Sequence, residues 1–337
     1  MPQDKRRFTL LSDKHRRTSK RVVISYILDW VCIVVLAAVG AILYRITGSE
    51  HVFSLDDPSI SYPLQPDTVS IVTVGITCCA VPAILIAALS LLPLPPLQPW
   101  ARRLWNLHTG LLGLGLSLSG AFFVTSGLKD VVGKPRPDLL ARCQPDLSQI
   151  AKYAVGGLGL ERDSAPILVS TGICKNPDPK VIRDGFAAFP SGHTSFAWAG
   201  LLYLSLWLAG KFTFFFFFSS SSFLPLCASA EGAGKRQTRS IAVTAAPPLY
   251  LLILSAIPVG GALYICATRY MDYMHAGWDI LGGSAVGIGF ALLGFLWYHV
   301  PVGRGARRGS TAFGMGCYFH GSGTDKWWVD SEKHKRK

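Results

Sequence analysis

The sequence predicts an all-α membrane protein, a polytopic bundle of six transmembrane helices, on three observations. Half of the 337 residues are hydrophobic and only 16% are charged, with a mean hydropathy of +0.35, a composition suited to a bilayer rather than to water. Six separate stretches approach the roughly 20 apolar residues that one span requires. Lys and Arg alternate from one connection to the next, as they do between cytosolic and non-cytosolic loops.

The first stretch, Val22 to Tyr44, follows a leader (residues 1–21) holding Lys5, Arg6, Arg7, Lys14, Arg16, Arg17, Lys20 and Arg21. That leader is longer and more polar than the charged start of a cleaved signal peptide, so the stretch is read as a retained helix. The connection Arg45 to Asp67 sets one Arg against Glu50, Asp56, Asp57 and Asp67. After the second stretch, Thr68 to Leu92, the connection Pro93 to Asn106 carries Arg102 and Arg103 and no acid. The third stretch is Leu107 to Leu128, and the longest loop, 129–192, follows it on the non-cytosolic side. The fourth is Thr194 to Gly210, followed by Lys235, Arg236 and Arg239. The fifth and sixth are Pro247 to Thr268 and Trp278 to His299, before a tail (300–337) with Arg304, Arg307, Arg308 and a run from Lys333 to Lys337.

Both termini are thereby cytosolic, and the membrane domain spans 22–299. The net charge of +13 suits basic cytosolic segments beside anionic lipid, and no nucleic-acid motif competes. The pattern fits an endomembrane (ER, Golgi or vacuole) or the plasma membrane. The segment "KFTFFFFFSSSSFLPLCASA", within about 211–240, is read as an interfacial or cytosolic insert of low complexity. Its Phe run is too short for a span, and a seventh span would reverse every later loop.

Three polar clusters lie at span ends. "KDVVGKPRPD" places Lys129 and Arg136 with six residues between them, and Pro135 and Pro137 stiffen the backbone around Arg136. A lone Lys there would be an interfacial side chain that snorkels; two cations held stiffly suit an oxyanion, and the planar Arg fork suits phosphate. "FPSGHTSF" offers Ser191 as N-cap, Gly192 for close backbone approach, and His193 among the free N–H groups of a helix start. An ordinary capped helix with an interfacial His is the plain reading of that motif. "TRYMDYMHAGWDI" holds Arg269, His275 and Asp279. On a helix His275 and Asp279 would share a face, and Asp279 would accept from a ring nitrogen, an arrangement of nucleophile and orienting acid. A polar pair capping a membrane helix is the alternative. Span parity brings all three clusters to one face of the bilayer.

In order and spacing the clusters resemble the type 2 phosphatidate phosphatase superfamily, the lipid phosphate phosphatases, whose pattern is K-x6-R-P, then P-S-G-H, then S-R-x5-H-x3-D. Lys129 to Pro137 fits the first, Pro190 to His193 the second, and Arg269 to Asp279 the third, with Thr268 in place of the usual Ser. "RPDLLARCQP" and "MDYMH" look most like the fungal enzymes acting on phosphatidate and diacylglycerol pyrophosphate. The resemblance implies that His275 attacks phosphorus, Asp279 orients it and His193 protonates the leaving group. It gives Lys129, Arg136, Ser191, Gly192 and Arg269 the phosphoryl oxygens, and it implies a lipid phosphate substrate, no cofactor and no metal. The sequence itself shows no clustered carboxylates or spaced Cys and His ligands of the usual metal-binding kinds. A lipid phosphotransferase could use the same His, His and Asp set, and a transporter or lipid-phosphate binding protein could use the cations alone. Cys143 and Cys174 share the 129–192 loop, where an oxidising compartment would permit a disulfide.

Overall fold

A computed structural model describes residues 20–92, 99–162, 165–219 and 249–299. Most of the basic leader, the basic cluster Lys235 to Arg239, most of the low-complexity insert and the tail lie outside the described residues. Besides one single-turn helix at Ile150–Tyr153, eight longer helices organise the described residues: α1 (Lys20–Leu43), α2 (Ile71–Leu91), α3 (Trp100–Val132), α4 (Leu139–Cys143), α5 (Pro179–Gly185), α6 (192–219), α7 (Leu249–Met271) and α8 (Gly277–His299).

Of these, α1, α2, α3, α7 and α8 are long and apolar enough to cross a membrane. Their outward faces carry large exposed apolar side chains, among them Ile27, Val31 and Val34 on α1 and Leu252 and Ile257 on α7. A continuous apolar exterior of that kind suits contact with acyl chains, and helices satisfy their own backbone there. The central helix is α3, which packs on α1, α8 and α6. Hydroxyls lock it to α6: Ser117 Oγ donates to the Ala199 carbonyl at 2.8 Å and Thr125 Oγ1 to Ser195 Oγ at 2.9 Å. Such bonds substitute for the hydrophobic drive that is missing between helices in lipid.

Several boundaries differ from the sequence reading, two of them at helix C-termini that run on into the following segment. Helix α3 does not end at Leu128 but continues to Val132, so Lys129 sits in its last turn rather than in the loop. The chain leaves at Gly133, whose φ of +55° is a left-handed cap that a glycine adopts without strain, and its N–H closes on the Lys129 carbonyl at 3.1 Å. Helix α6 runs past Gly210 to Ser219, so the Phe run read as part of an insert is helical. No Gly or Pro between residues 211 and 219 breaks it.

The loop 129–192 folds into a cap over the bundle mouth, and here the purely helical expectation gives way to a small sheet. Strands β1 (Phe53–Ser54), β2 (Ala154–Gly156) and β3 (Leu168–Val169) form an antiparallel sheet in the order β1-β3-β2. Strands of two or three residues are too short to leave an alternation signal in the sequence. The β1–β3 pairing joins the α1–α2 connection to the loop after α3, so both connections lie on one side of the bundle. Phe53, Leu139, Val169, Ile173 and Phe186 fill the cap's own core, and Cys143 and Cys174 form the disulfide that the sequence permits.

Candidate active site

The cap, the start of α6 and the turn between α7 and α8 close around one cavity of about 460 Å³. Lys129, Arg136, Gly192, His193, Arg269 and His275 line its polar side, and Ile71, Val74, Phe122 and Phe196 line an apolar side. Six of the eight residues singled out in the sequence thus meet at one cavity. Ser191 and Asp279 are buried beside it instead.

Each cation is built in by its own element. Lys129 projects from the last turn of α3 and its Nζ donates to the Ala187 carbonyl at 2.7 Å. Gly192 lies against it: a Cβ there would stand 3.8 Å from Lys129 Cε. Arg136 is fixed by its backbone N–H on the Gly185 carbonyl at 2.7 Å and by Nη2 on Asp184 Oδ1 at 2.8 Å. Arg269, only 1% exposed, ends α7 with Nη1 on Asp67 Oδ1 at 2.6 Å and Nη2 on Asp272 Oδ2 at 2.8 Å. Asp272 also accepts from the Thr68 N–H and hydroxyl, tying α7 to the entrance of α2. Thr268 is buried and is not one of the residues that line the cavity, and its hydroxyl donates to the Ile265 carbonyl at 2.8 Å.

The PSGH turn is held against α8. Ser191 N–H donates to the Asp279 carbonyl at 3.0 Å, and Gly283 leaves room for the Ser191 carbonyl, 2.6 Å from where a Cβ would be. Ser191 occupies the N-cap position of α6, but its hydroxyl makes no capping bond, contrary to expectation. Its buried Oγ and the buried His193 Nε2 have no hydrogen-bond partner among the described residues. Buried polar atoms without partners are uncommon. His193 lines the cavity, so its Nε2 marks a place where a polar ligand would bond.

His275 departs from the expected pairing. The helix α8 begins only at Gly277, and Tyr273 takes a φ of +55°, so His275 lies in a tight turn rather than one helical step from Asp279. Its Nδ1 donates to the Ala188 carbonyl at 2.7 Å. A carbonyl only accepts, so the neutral ring carries its proton on Nδ1 and leaves a lone pair on Nε2. Asp279, fully buried, instead accepts from Lys134 Nζ at 2.7 Å and from the Ala276 N–H at 2.9 Å. It fixes the turn that carries His275 rather than the ring itself.

Burial, then the nearby Arg136 and Lys129 charges, hold the His275 imidazole well below its ordinary value. The ring is therefore neutral throughout the physiological range. The folded chain binds fewer protons than the unfolded one below pH 6.5, so this group removes stability as pH falls through that value. This ring is therefore expected to contribute no acid limb at its ordinary value in a pH–rate profile. Titration at the ordinary imidazole value would contradict the buried, Ala188-bonded ring.

Among the described residues no group of three or more His, Cys, Asp or Glu side chains is placed to hold a metal ion. The cavity offers an oxyanion the cations Lys129, Arg136 and Arg269, and it presents two imidazoles, His193 and His275, of a kind suited to proton transfer or nucleophilic attack.

Residues 110–301 match the PAP2 superfamily, a region that takes in all three clusters. The chain belongs to that superfamily. The PAP2 match is extended by individual relatives. The chain is 31% identical to a probable diacylglycerol pyrophosphate phosphatase 1 of Schizosaccharomyces pombe, covering 74% of this chain and 72% of that protein. It is 28% identical to diacylglycerol pyrophosphate phosphatase 1 of Saccharomyces cerevisiae, over 71% of this chain and 67% of that one. Against lipid phosphate phosphatase 2 of Arabidopsis thaliana the identity is 27%, over 81% and 77% of the two chains. No solved structure is a significant match. The PAP2 assignment makes the chain a phosphatase-family enzyme, and its apolar helices make it a membrane protein.

Proposed function

We propose that this PAP2 chain is an integral membrane lipid phosphate phosphatase that hydrolyses phosphatidate, diacylglycerol pyrophosphate or related lipid phosphates through a phosphohistidine on His275. One observation carries the reading: a single cavity has two histidines and four fixed cations in its wall, with apolar residues lining the rest of it. A phosphate headgroup sits on the cations while its acyl chains remain among Ile71, Val74, Phe122 and Phe196. A soluble phosphate ester has no use for that second wall. The names of the relatives support the same substrate class.

In the proposed reaction His275 Nε2 attacks phosphorus, forming an N–P bond as the P–O bond to the lipid breaks. Burial and the nearby Arg269 hold the His193 pKa down to about 4 in the unliganded protein, so it takes up the proton of the bound phosphate monoanion and, as the imidazolium, delivers it to the departing oxygen. Water then attacks the phosphohistidine, its proton passing to His193, and the N–P bond breaks to release phosphate and restore both rings. Lys129, Arg136, Arg269 and the Gly192 N–H hold the equatorial oxygens, where charge gathers in the transition state. Asp279, through Lys134 and the Ala276 amide, is a positioning residue for the turn.

The membrane arrangement belongs to the same proposal. Helix α6 serves as a sixth span, both termini are cytosolic, and the cap with its disulfide faces the lumen or exterior.

The fixed cations take the place that Mg²⁺ occupies in metal-dependent phosphoryl transfer, so turnover is expected to persist in EDTA. Phosphate release from phosphatidate and diacylglycerol pyrophosphate in detergent micelles tests both points. Release by the wild type that EDTA leaves unchanged supports the reading. Release abolished by EDTA and restored by Mg²⁺ contradicts metal independence, and the absence of release from well-folded protein contradicts the function.

A further inference from the structure

Arg142 lies on the same cavity wall, outside the three motifs, and is as firmly built as the motif cations. Its Nε donates to Asp138 Oδ2 at 2.8 Å, its Nη2 lies 3.1 Å from Met274 Sδ, and its Nη1 donates to Asp184 Oδ2 at 3.0 Å. The other oxygen of Asp184 accepts from Arg136 Nη2 at 2.8 Å, and Arg136 Nη1 lies 3.5 Å from the same sulfur. One carboxylate therefore bridges two guanidiniums beside Met274, the residue that precedes His275.

The three side chains differ in freedom. Those of Arg136 and Arg142 are 10% and 8% exposed, that of Asp184 is 47% exposed, and Asp138, which anchors Arg142 from behind, is fully buried. When Asp184 turns outward, Arg142 stays held by Asp138, and one donor on each guanidinium is freed on the side where the carboxylate stood. Two oxygens of a phosphoryl group present those donors with the same bidentate face as a carboxylate. Arg136 belongs also to the set that holds the reacting phosphoryl group, so the two positions adjoin and share a cation.

We propose that Arg136 and Arg142 form a second oxyanion seat next to the reacting phosphorus, filled by Asp184 in the unliganded protein and yielded to a phosphoryl group. Its position beside the reacting group rests on the phosphatase reading above. The ligand is the second phosphoryl of a diphosphate headgroup, or inorganic phosphate on its way out of the site. Leaving the seat empty would leave Arg136 without its carboxylate and Arg142 with Asp138 alone once Asp184 departs, and a diphosphate supplies the replacing charge that a monoester lacks.

The test compares wild type, Arg142→Gln, Arg142→Lys and Asp184→Asn in detergent micelles. Measured quantities are kcat/KM for phosphatidate and diacylglycerol pyrophosphate, and the inhibition constant of inorganic phosphate. If the seat holds the second phosphoryl, Arg142→Gln lowers kcat/KM for the diphosphate lipid at least tenfold more than for phosphatidate. If it holds product, losses on the two lipids are equal and the inhibition constant of phosphate rises tenfold or more. In both cases Asp184→Asn, which removes the competing anion, tightens phosphate inhibition at least threefold. Equal losses on the two lipids with unchanged phosphate inhibition in every variant would overturn the seat and leave Arg142 a structural residue. Should the wild type hydrolyse neither lipid, the phosphatase reading fails. The seat is then decided by thermal stabilisation with pyrophosphate: greater stabilisation of the wild type than of Arg142→Gln supports it, and equal stabilisation overturns it.

Discussion

His275→Ala is expected to remove phosphate release from phosphatidate and from diacylglycerol pyrophosphate alike, by on the order of 10³-fold or more, with little change in the melting temperature of the solubilised protein. The loss is the same for both lipids because the nucleophile is needed whatever group departs. The imidazole is buried at 3% exposure, and its hydrogen bond goes to a backbone carbonyl. Truncation therefore strands one acceptor but breaks no ion pair. Asp279 remains on Lys134 and Ala276, and Arg136 remains on Asp184. A variant that folds, binds lipid phosphate and releases nothing is the outcome that separates a missing nucleophile from a collapsed site.

His193→Ala is expected to behave differently, because a general acid matters in proportion to how poorly the leaving group departs. From phosphatidate the leaving group is a lipid alkoxide, and the loss should be about 10²- to 10⁴-fold. From diacylglycerol pyrophosphate it is a phosphate oxygen, which needs far less protonation, so the loss in the first step should shrink by at least tenfold. Rapid-quench measurement of the first turnover on each lipid reads that difference directly. Because the same ring then deprotonates water, the variant should accumulate the phosphorylated enzyme on the diphosphate substrate. Equal first-turnover losses on the two lipids would remove His193 from the acid role. The burial of His193 Nε2 without a partner among the described residues fits an atom whose bond is made only when substrate arrives.

Much of this site is legible in the sequence because each part is local. Lys129 and Arg136 are set by seven positions of stiff backbone, Gly192 and His193 by a helix start, and Arg269 by a helix end. The expected span parity puts them on one face of the bilayer, where they are free to meet. The failures have equally definite causes. The expected His275–Asp279 bond assumes that a helix already contains His275, whereas the turn at Tyr273 delays α8 to Gly277 and turns Asp279 to the first-turn amide of Ala276. An acid just inside a helix start is a known signal for such a role, and it was available at that position. Arg142 is absent from the motif reading, although Asp138 and Arg142 stand four apart and pair within one short helix. What no local pattern could supply is Asp184, 42 residues from Arg142 in the chain, or the Ala188 carbonyl that fixes the His275 ring. Both depend on how the cap folds back over the bundle, and its strands are too short to be read in advance.

The PSGH segment illustrates a middle case. Its position at a helix start follows from the sequence, but the Ser191 hydroxyl leaves the cap unmade and stays buried without a partner among the described residues. The helix start is held instead from outside, by the Asp279 carbonyl on Ser191 N–H and by the close approach of α8 at Gly283. Free N–H groups at the first turn of α6 then remain available to an anion rather than to a side chain.

The measurement that bears most directly on the central claim is rapid-quench labelling with phosphatidate radiolabelled in its phosphate. The wild type should incorporate label stable to alkali and lost in mild acid, the behaviour of a phosphoramidate, on a peptide containing His275, while His275→Ala should incorporate none. Wild-type turnover without labelled protein, or label that persists in His275→Ala, would contradict a phosphohistidine at this position.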